Sequence, residues 1–200
     1  MSLAIETAET DTRTRILQTA ERLFREIGYQ KTTVADIAKI LKMSPANIYR
    51  FFDSKKAIHE GVANLLMGEV EAAVAAIAAA PSSPEERLRK ILATIHHMNA
   101  ERYVGDEKLH EMVAYAMEEN WESCEAHIDR LGMAVAKIVA EGVAAGQFRA
   151  CDVEVTAQCL CTAMCRFFHP QMIAECAGKP EPSLEQMIEF VIGAIVVGKP

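Results

Sequence analysis

Residues 32–52 read TTVADIAKILKMSPANIYRFF, and this stretch decides the fold of the N-terminal part of the chain. Thr33 is typical of a helix N-cap, and Asp36 stands at the third helical position, so a short helix is predicted here. Ser44 is typical of a second N-cap, and Pro45 fits the first turn of the next helix, where a missing N–H costs nothing. Two short helices joined by a tight turn predict a helix-turn-helix.

The second helix of a helix-turn-helix lies in the DNA major groove, where its first residues meet the edges of the bases. Asn47 suits a bidentate contact with adenine, Arg50 suits one with guanine, and Ala46 fits against a thymine methyl group. Other polar side chains are spaced to reach phosphates, which position a protein without reading sequence. Taken alone, the stretch also fits a short core helix with a solvated start. The candidate DNA-binding residues are Thr33, Ser44, Pro45, Ala46, Asn47, Tyr49, Arg50 and Lys55.

Charge is distributed unevenly along the chain. The net charge of −7 argues against nucleic acid as a partner of the whole surface. Residues 31–60, however, hold six Lys and Arg against three Asp and Glu, whereas residues 61–200 hold 11 against 20. One end of the chain can therefore bind phosphates while the other end keeps the protein soluble.

Helix signals recur along the remaining sequence, and strand signals are almost absent. An N-terminal helix is expected to end at Gly28, and serine and aspartate caps begin most of the later helices. We predict an all-α fold of about nine helices, with a three-helix head (1–53) that contains the helix-turn-helix and a larger C-terminal helical domain (54–200). The later helices are predicted at 54–80, 84–103, 106–118, 121–145, 152–177 and 183–198.

Composition indicates a soluble cytoplasmic protein. Half of the residues are hydrophobic and 24% are charged, which is ordinary for a globular chain. No uninterrupted apolar run approaches the roughly 18 residues of a membrane span, and the N-terminus has no secretion signal. Six cysteines without a paired CxxC motif fit a reducing cytosol.

From Arg15 to about Leu66 the sequence resembles the DNA-binding domain of the TetR (tetracycline-repressor) family of transcriptional regulators. The resemblance covers about a quarter of the chain with many fixed spacings, and it implies a regulator, expected to be a repressor, that binds a palindromic double-stranded operator. The residues that carry it are Ala20, Phe24, Gly28, Thr32, Thr33, Ile37, Ala38, Ser44, Ile48, Tyr49, Phe52, Ser54 and Lys55.

Two positions depart from the family pattern. Lys42 stands where the family usually has glycine, and a positive φ there would cost up to roughly 1 kcal/mol. We hypothesise that the lysine compensates by reaching a DNA phosphate, which adds Lys42 to the candidate DNA-binding residues. Phe51 stands where the family often has histidine, so a phosphate contact from this side chain is in doubt.

The resemblance also implies that the C-terminal domain forms a homodimer through its last two helices and binds an unknown small-molecule effector. Residues 187–195 present a broad apolar face, which fits either a dimer interface or an ordinary buried helix. The candidate interface residues are Met187, Ile188, Val191, Ile192 and Ile195. Methionine and aromatic side chains suit a malleable apolar pocket, although each also fits a core. The candidate pocket residues are His96, Met112, Tyr115, Met117, Trp121, Met133, Met164, Phe167 and Phe168.

Other functions have weaker support in the sequence. A thiol-based metal or redox sensor would use Cys159, Cys161 and Cys165, although buried cysteine commonly acts as a small hydrophobe. Glu107 and His110 match half of a di-iron site, but a second half is missing from the sequence. The sequence has no nucleophile elbow or phosphate loop. We therefore expect no catalytic residues, no metal and no cofactor. The remaining alternative is a TetR-like protein that regulates by protein contact and has lost DNA binding.

Overall fold

The computed structural model of the chain describes residues 2–105, 108, 112, 115, 116, 122–176, 178, 179 and 182–198, without the side chains of residues 2–9. Within these residues the backbone is helical and has no β-strand beyond one isolated bridge between Phe148 and Val196. The all-α prediction is confirmed. Ten helices lie in the described part: α1 (Ser2–Ile27), α2 (Val34–Leu41), α3 (Pro45–Tyr49), α4 (Lys55–Ala78), α5 (Pro84–Tyr103), α6 (Glu122–Ala144), α7 (Val153–Ala163), α8 (Cys165–Phe168), α9 (Pro170–Glu175) and α10 (Leu184–Gly193).

Helix starts follow the capping signals in the sequence. Capping boxes begin α2, α5 and α10, each with a hydroxyl oxygen that accepts a backbone N–H three residues further on. The hydroxyls of Ser44 and Ser54 and the carboxylate of Asp152 do the same at the starts of α3, α4 and α7. Gly28 follows α1 with a φ of 91°, a left-handed conformation that glycine adopts at low cost.

The prediction of one helix over 152–177 is wrong. Three helices occupy this range, and the breaks lie at Met164 and His169. Pro170 disfavours helical backbone at the residue before it, and His169 is extended with φ −76° and ψ 121°. The last helix also ends earlier than predicted, at Gly193, before the chain reaches the bridge at Val196.

The chain divides into two compact units within α4. The first unit comprises Met1–Met67 with Asp106–Asn120, and the second comprises Gly68–Gly105 with Trp121–Pro200. This division differs from the boundary at 53/54, which stays a prediction about function. Most of the predicted helix at 106–118 lies outside the described residues.

The core of the first unit forms where α1, α2 and α3 pack together. Ile16 and Phe24 from α1, Ile37 from α2, Ile48 from α3 and Ile58 from α4 are completely buried. Burial of each such side chain stabilises the unit by about 1.5–3 kcal/mol relative to exposure. Helix α3 has five residues and contributes one buried side chain, so Ile48 sets which of its faces points outward.

His59 is buried among aromatic rings of the first unit. Its ring stacks on Tyr29 with the centroids 4.2 Å apart, and it lies 5.8 Å from Phe24 and 5.4 Å from Tyr115. Burial lowers the pKa of His59 to about 4, while a hydrogen bond with the backbone of Met112 acts in the opposite direction. The imidazole is therefore neutral at pH 7.

The second unit has the larger core, to which α5, α6, α7 and α10 contribute. Leu88 and Ile91 of α5, Val135 and Ile138 of α6 and Ile192 of α10 are completely buried. These side chains recur at helical spacing, so each helix turns one apolar stripe toward the others.

Helix α4 is long and apolar enough to cross a membrane by length and composition, with a mean hydropathy of 1.5 over 18 residues. The expectation concerned an uninterrupted apolar run of this length, which α4 does not contain, whereas this mean also includes polar residues. Its buried side chains, however, form a stripe at helical spacing, with Val62 and Leu66 in the first unit and Val70 and Val74 in the second. That stripe is typical of a helix that packs against protein.

Acid should destabilise the fold through His59. Its pKa is about 4 in the folded chain and about 6.5 in an unfolded chain. Because the folded pKa is depressed, the contribution of His59 is fully present above pH 6.5 and is lost as pH falls toward 4. The loss amounts to roughly 3 kcal/mol. Urea unfolding of the wild type and of His59→Phe between pH 7 and pH 4.5 checks this, because the acidic residues are common to both proteins. If the unfolding free energies of the two proteins changed with pH in parallel, that result would contradict the depressed pKa of His59.

Candidate nucleic-acid interface

Helix α3 turns Ile48 inward and its polar side chains outward. Arg50, just after the helix, is exposed, and Asn47 is half-buried. The ring of Tyr49 is 48% exposed. The burial of Ile48 fixes the orientation of α3. Asn47 and Arg50, the two side chains suited to base edges, therefore lie on its outer side. Ser44, Pro45 and Ala46 are exposed as well.

A residue in the left-handed backbone conformation reverses the chain direction between α2 and α3. Lys42 has φ 57° and ψ 40°, and among the described residues it is the one non-glycine residue with a positive φ. Its N–H donates to the Lys39 carbonyl at 3.2 Å, and the Met43 N–H donates to the Ala38 carbonyl at 2.9 Å. This pair of hydrogen bonds is a Schellman motif. The chain therefore keeps the turn geometry that suits glycine and places an exposed lysine in it.

The hydroxyls predicted to reach phosphates are engaged in helix caps. The Thr33 hydroxyl donates to Asp36 Oδ2 at 2.6 Å and accepts the Asp36 N–H at 3.2 Å. Hydrogen bonds from Thr33 lower the pKa of Asp36 below its usual value. The Ser44 hydroxyl accepts the Asn47 N–H at 3.2 Å, which leaves its own O–H able to donate to a phosphate. Of these two hydroxyls, Ser44 is the better placed for a phosphate.

The side chain of Lys55 makes contacts within the first unit. Its Nζ donates to the Gln30 carbonyl at 3.2 Å and lies 4.3 Å from the centre of the Tyr29 ring. Partial burial lowers the pKa of Lys55. The phosphate contact predicted for Lys55 stays a prediction, and the lysine also fixes the loop between α1 and α2 to the start of α4.

Arg13 supports the recognition helix and was missed by the sequence reasoning. Its Nη1 donates to the Phe51 carbonyl at 2.8 Å, and its guanidinium lies 4.2 Å from the centre of the Phe52 ring. A cation at the C-terminal end of a helix also interacts favourably with the helix dipole. The position of Arg13 one helical turn before the buried Ile16 could have indicated that its side chain faces the inside of the unit, but it carries no signal for the partner Phe51.

Several basic residues in and next to the helix-turn-helix are exposed. Phosphate contacts by such cations release counterions and supply most of the sequence-independent affinity for DNA. Around the helix-turn-helix the exposed basic residues are Lys31, Lys39, Lys42, Arg50 and Lys56. The first unit thus combines an outward-facing α3 with several exposed cations.

The predicted pocket residues fall in different units. Met112 and Tyr115 belong to the first unit, where Met112 is buried and Tyr115 contacts the Tyr29 ring. Met117 and Trp121 lie outside the described residues. The remaining five candidates, His96, Met133, Met164, Phe167 and Phe168, belong to the second unit.

Within the second unit these five side chains differ in their surroundings. Met164 is buried, whereas Met133 is 63% exposed on α6. His96 Nδ1 lies 3.0 Å from the Phe167 carbonyl, and Asn99 donates to the Phe168 carbonyl at 2.7 Å. His96 therefore helps to hold the break between α8 and α9, and a shared pocket for the candidates stays a prediction.

The residues chosen for the dimer interface require a correction. Ile188, Val191, Ile192 and Ile195 are buried in the core of the second unit, and Met187 packs partly buried against it. Their apolar face therefore serves the chain itself. The exposed apolar side chains on α7 and around α10 are instead Val155, Phe190 and Val197.

The structure gives little support to a metal site or to a thiol-based redox sensor. All six cysteines are free thiols, and burial raises the pKa of Cys161, which disfavours its reactive thiolate. His110 and Glu107 lie outside the described residues. Within the described part, no three His, Cys, Asp or Glu side chains come together as metal ligands.

An outward-facing α3, a Schellman turn and exposed basic residues are typical of a helix-turn-helix DNA-binding protein. The sequence model of the "Bacterial regulatory proteins, tetR family" matches residues 16–62, and that of the "Tetracyclin repressor-like, C-terminal domain" matches residues 84–189. The second match alone covers more than half of the chain. The chain belongs to the TetR family of transcriptional regulators, which act by binding DNA and not by catalysis.

Individual relatives agree with this assignment. The biofilm operon icaADBC HTH-type negative transcriptional regulator IcaR of Staphylococcus aureus is 48% identical over 46 residues, which are 23% of this chain. The match spans a quarter of IcaR's own length. A TetR/AcrR-family regulator from Thermobifida fusca is 26% identical with a TM-score of 0.64, covering 91% of this chain and 97% of that one. A transcriptional regulator from Saccharomonospora viridis, solved with choline, is 22% identical with a TM-score of 0.67, covering 94% and 100%.

Replacing Lys42 separates its backbone cost from its charge. Lys42→Gly should raise the free energy of unfolding by up to about 1 kcal/mol, because the left-handed strain is relieved. If the side chain contacts one phosphate, the negative slope of log K against log[salt] should also become shallower by about 0.9. Lys42→Gln is the matched control, since it removes the charge and keeps the strain. Equal unfolding midpoints for Gly and wild type, or unchanged salt slopes, would contradict the corresponding half of this account.

Proposed function

We propose that this chain represses transcription by binding a palindromic operator as a homodimer, and that a small molecule bound in its C-terminal part releases it from DNA. Residues 1–53 would read the operator, and residues 54–200 would bind the effector and the second copy. The chain would act in the cytoplasm, where the operator DNA is. The outward face of α3 is the observation that carries the proposal.

Base reading would rest on two side chains of that face. Arg50 is exposed and presents a planar fork of N–H donors that matches guanine N7 and O6. Asn47 lies one turn before it, within α3, and matches adenine. IcaR, which is 48% identical over 46 residues, is named a negative regulator, which supports repression.

A second copy would cover the exposed apolar side chains of the second unit. Phe190 is 73% exposed, Val155 is 53% exposed and Val197 is 49% exposed. Exposed aromatic and aliphatic groups of this size favour association, and a two-fold axis is the commonest symmetry for it. Two copies of α3 related by that axis would match two half-sites of a palindrome.

The effector would act through α4. This helix runs without interruption from Lys55, in the first unit, to Ala78, in the second. A ligand that alters the packing of its second half therefore acts on an element that also belongs to the DNA-binding unit. Effector and operator would then oppose each other through one coupling free energy. The choline bound by the Saccharomonospora viridis protein supports a small molecule as the effector.

Selection of bound duplexes from a randomised DNA pool tests the proposal. The wild type should enrich one palindrome, because a dimer presents two recognition helices. Arg50→Ala should weaken binding to that sequence by about 1–3 kcal/mol and relax the preference at one position in each half-site. Lys56→Ala is the comparison variant and should weaken all sequences alike. Enrichment of a single half-site would contradict the dimer, and an unchanged preference in Arg50→Ala would contradict the assigned reading face.

A further inference from the structure

A groove with a volume of about 400 Å³ lies between α4 and α6 within the second unit. Ala72 and Ala75 contribute to its α4 wall, and Leu131 and Ala134 contribute to its α6 wall. Its volume falls in the range of small-molecule sites, roughly 300–1,000 Å³. None of the described residues predicted for the effector pocket lines it, so the groove is a separate candidate site.

The groove also has a charged wall, formed by Glu71 and Arg130. Glu71 Oε2 accepts the Arg130 Nε–H at 2.7 Å, and Oε1 accepts an Nη2–H at 2.8 Å. His127 Nδ1 lies 2.7 Å from the same Oε1. The hydrogen bonds from Arg130 lower the pKa of Glu71, so its carboxylate is ionised and already compensated by a cation.

Counting donors and acceptors decides which ligand charge this wall can accept. A guanidinium carries five N–H donors, and Glu71 takes two of those on Arg130. A carboxylate offers about four acceptor sites, and the three hydrogen bonds described fill three of them on Glu71. The wall therefore offers more free donors than free acceptors. Arg130 keeps 45% of its side chain exposed, so a ligand can reach these donors.

Neighbouring charged residues do not change the excess of free hydrogen-bond donors at this wall. The hydrogen bonds with Glu71 raise the pKa of Arg130, and the charge of Asp129 adds to this effect, but Asp129 is not among the groove's lining residues. Glu69, two residues before Glu71 on α4, is paired with Arg102. The remaining surface of the groove is aliphatic, and it favours an apolar ligand body by about 25 cal/mol per Å² buried.

The geometry points to an amphiphilic monocarboxylate as the occupant, with its carboxylate on the free N–H groups of Arg130 and its alkyl body between α4 and α6. A planar guanidinium binds a carboxylate in a bidentate manner, which an ammonium ligand cannot use. The inference rests on the proposed function, in which a small molecule acts through α4, and it names the class and the place of that molecule.

Titration calorimetry on the full chain, without DNA, tests the site with three probes of equal chain length: decanoate, decyltrimethylammonium and decanol. Decanoate should bind most tightly. Arg130→Gln should weaken decanoate binding at least about tenfold, because a charge-assisted hydrogen bond is lost. Glu71→Gln should leave decanoate binding equal or tighter, since it frees the donors that Glu71 occupies. Ala72→Leu should abolish binding by filling the groove.

Matched controls guard against effects on folding or net charge. Arg149→Gln removes an exposed cation away from the groove, and Ala140→Leu enlarges an exposed position on another face of α6. Both should bind decanoate like the wild type. Arg130→Lys keeps the charge and loses the fork, and it should bind decanoate with intermediate affinity. Thermal unfolding of each variant confirms that it is folded.

Preferential binding of decyltrimethylammonium that is lost in Glu71→Gln would overturn the inference in favour of a cationic ligand. Decanoate binding that is unchanged in Arg130→Gln, or no binding of any probe, would also overturn it. Operator affinity is measured separately on the unliganded protein. Failure of the probes with intact operator binding would remove this site and leave the DNA-binding function standing. Decanoate binding with unchanged operator affinity would support the site and contradict the proposed release from DNA.

Discussion

The left-handed turn at Lys42 is the constraint on which the DNA-binding face depends. Two hydrogen bonds from Lys42 and Met43 to the last turn of α2 fix where α3 begins. Helix α3 is too short to be stable alone, since isolated helices need about 12–15 residues. Its orientation comes from this turn, from the Ser44 cap and from the burial of Ile48. Asn47 and Arg50 are therefore presented by the surrounding fold.

The same first unit is held together by polar contacts that link distant parts of its sequence. Arg13 reaches from α1 to the carbonyl of Phe51, and Lys55 reaches from α4 to the carbonyl of Gln30. The second half of α4, which belongs to the other unit, carries Glu71 at the groove. One helix thus contains a residue of each candidate site, and it is the element through which we propose that a ligand acts.

Local signals in the sequence predicted the helix starts well, because caps such as Thr33, Ser44 and Ser183 act within four residues. They failed where the packing depends on contacts between residues that are distant in the sequence. The apolar face of 187–195 has the same pattern whether it packs on its own chain or on a second copy, and here Ile192 is completely buried in its own chain. The pairings of Arg13 with Phe51 and of Glu71 with Arg130 span 38 and 59 residues, so no local pattern indicates them.

Methylation interference on the selected operator tests most directly whether α3 reads DNA through the major groove. Guanine N7 lies in that groove and adenine N3 lies in the minor groove, so one experiment distinguishes the two. The geometry of Arg50 predicts that methylation of one guanine N7 in each half-site blocks wild-type binding. Interference confined to adenine N3, or guanine methylation without effect, would contradict the assignment of α3 as the base-reading helix.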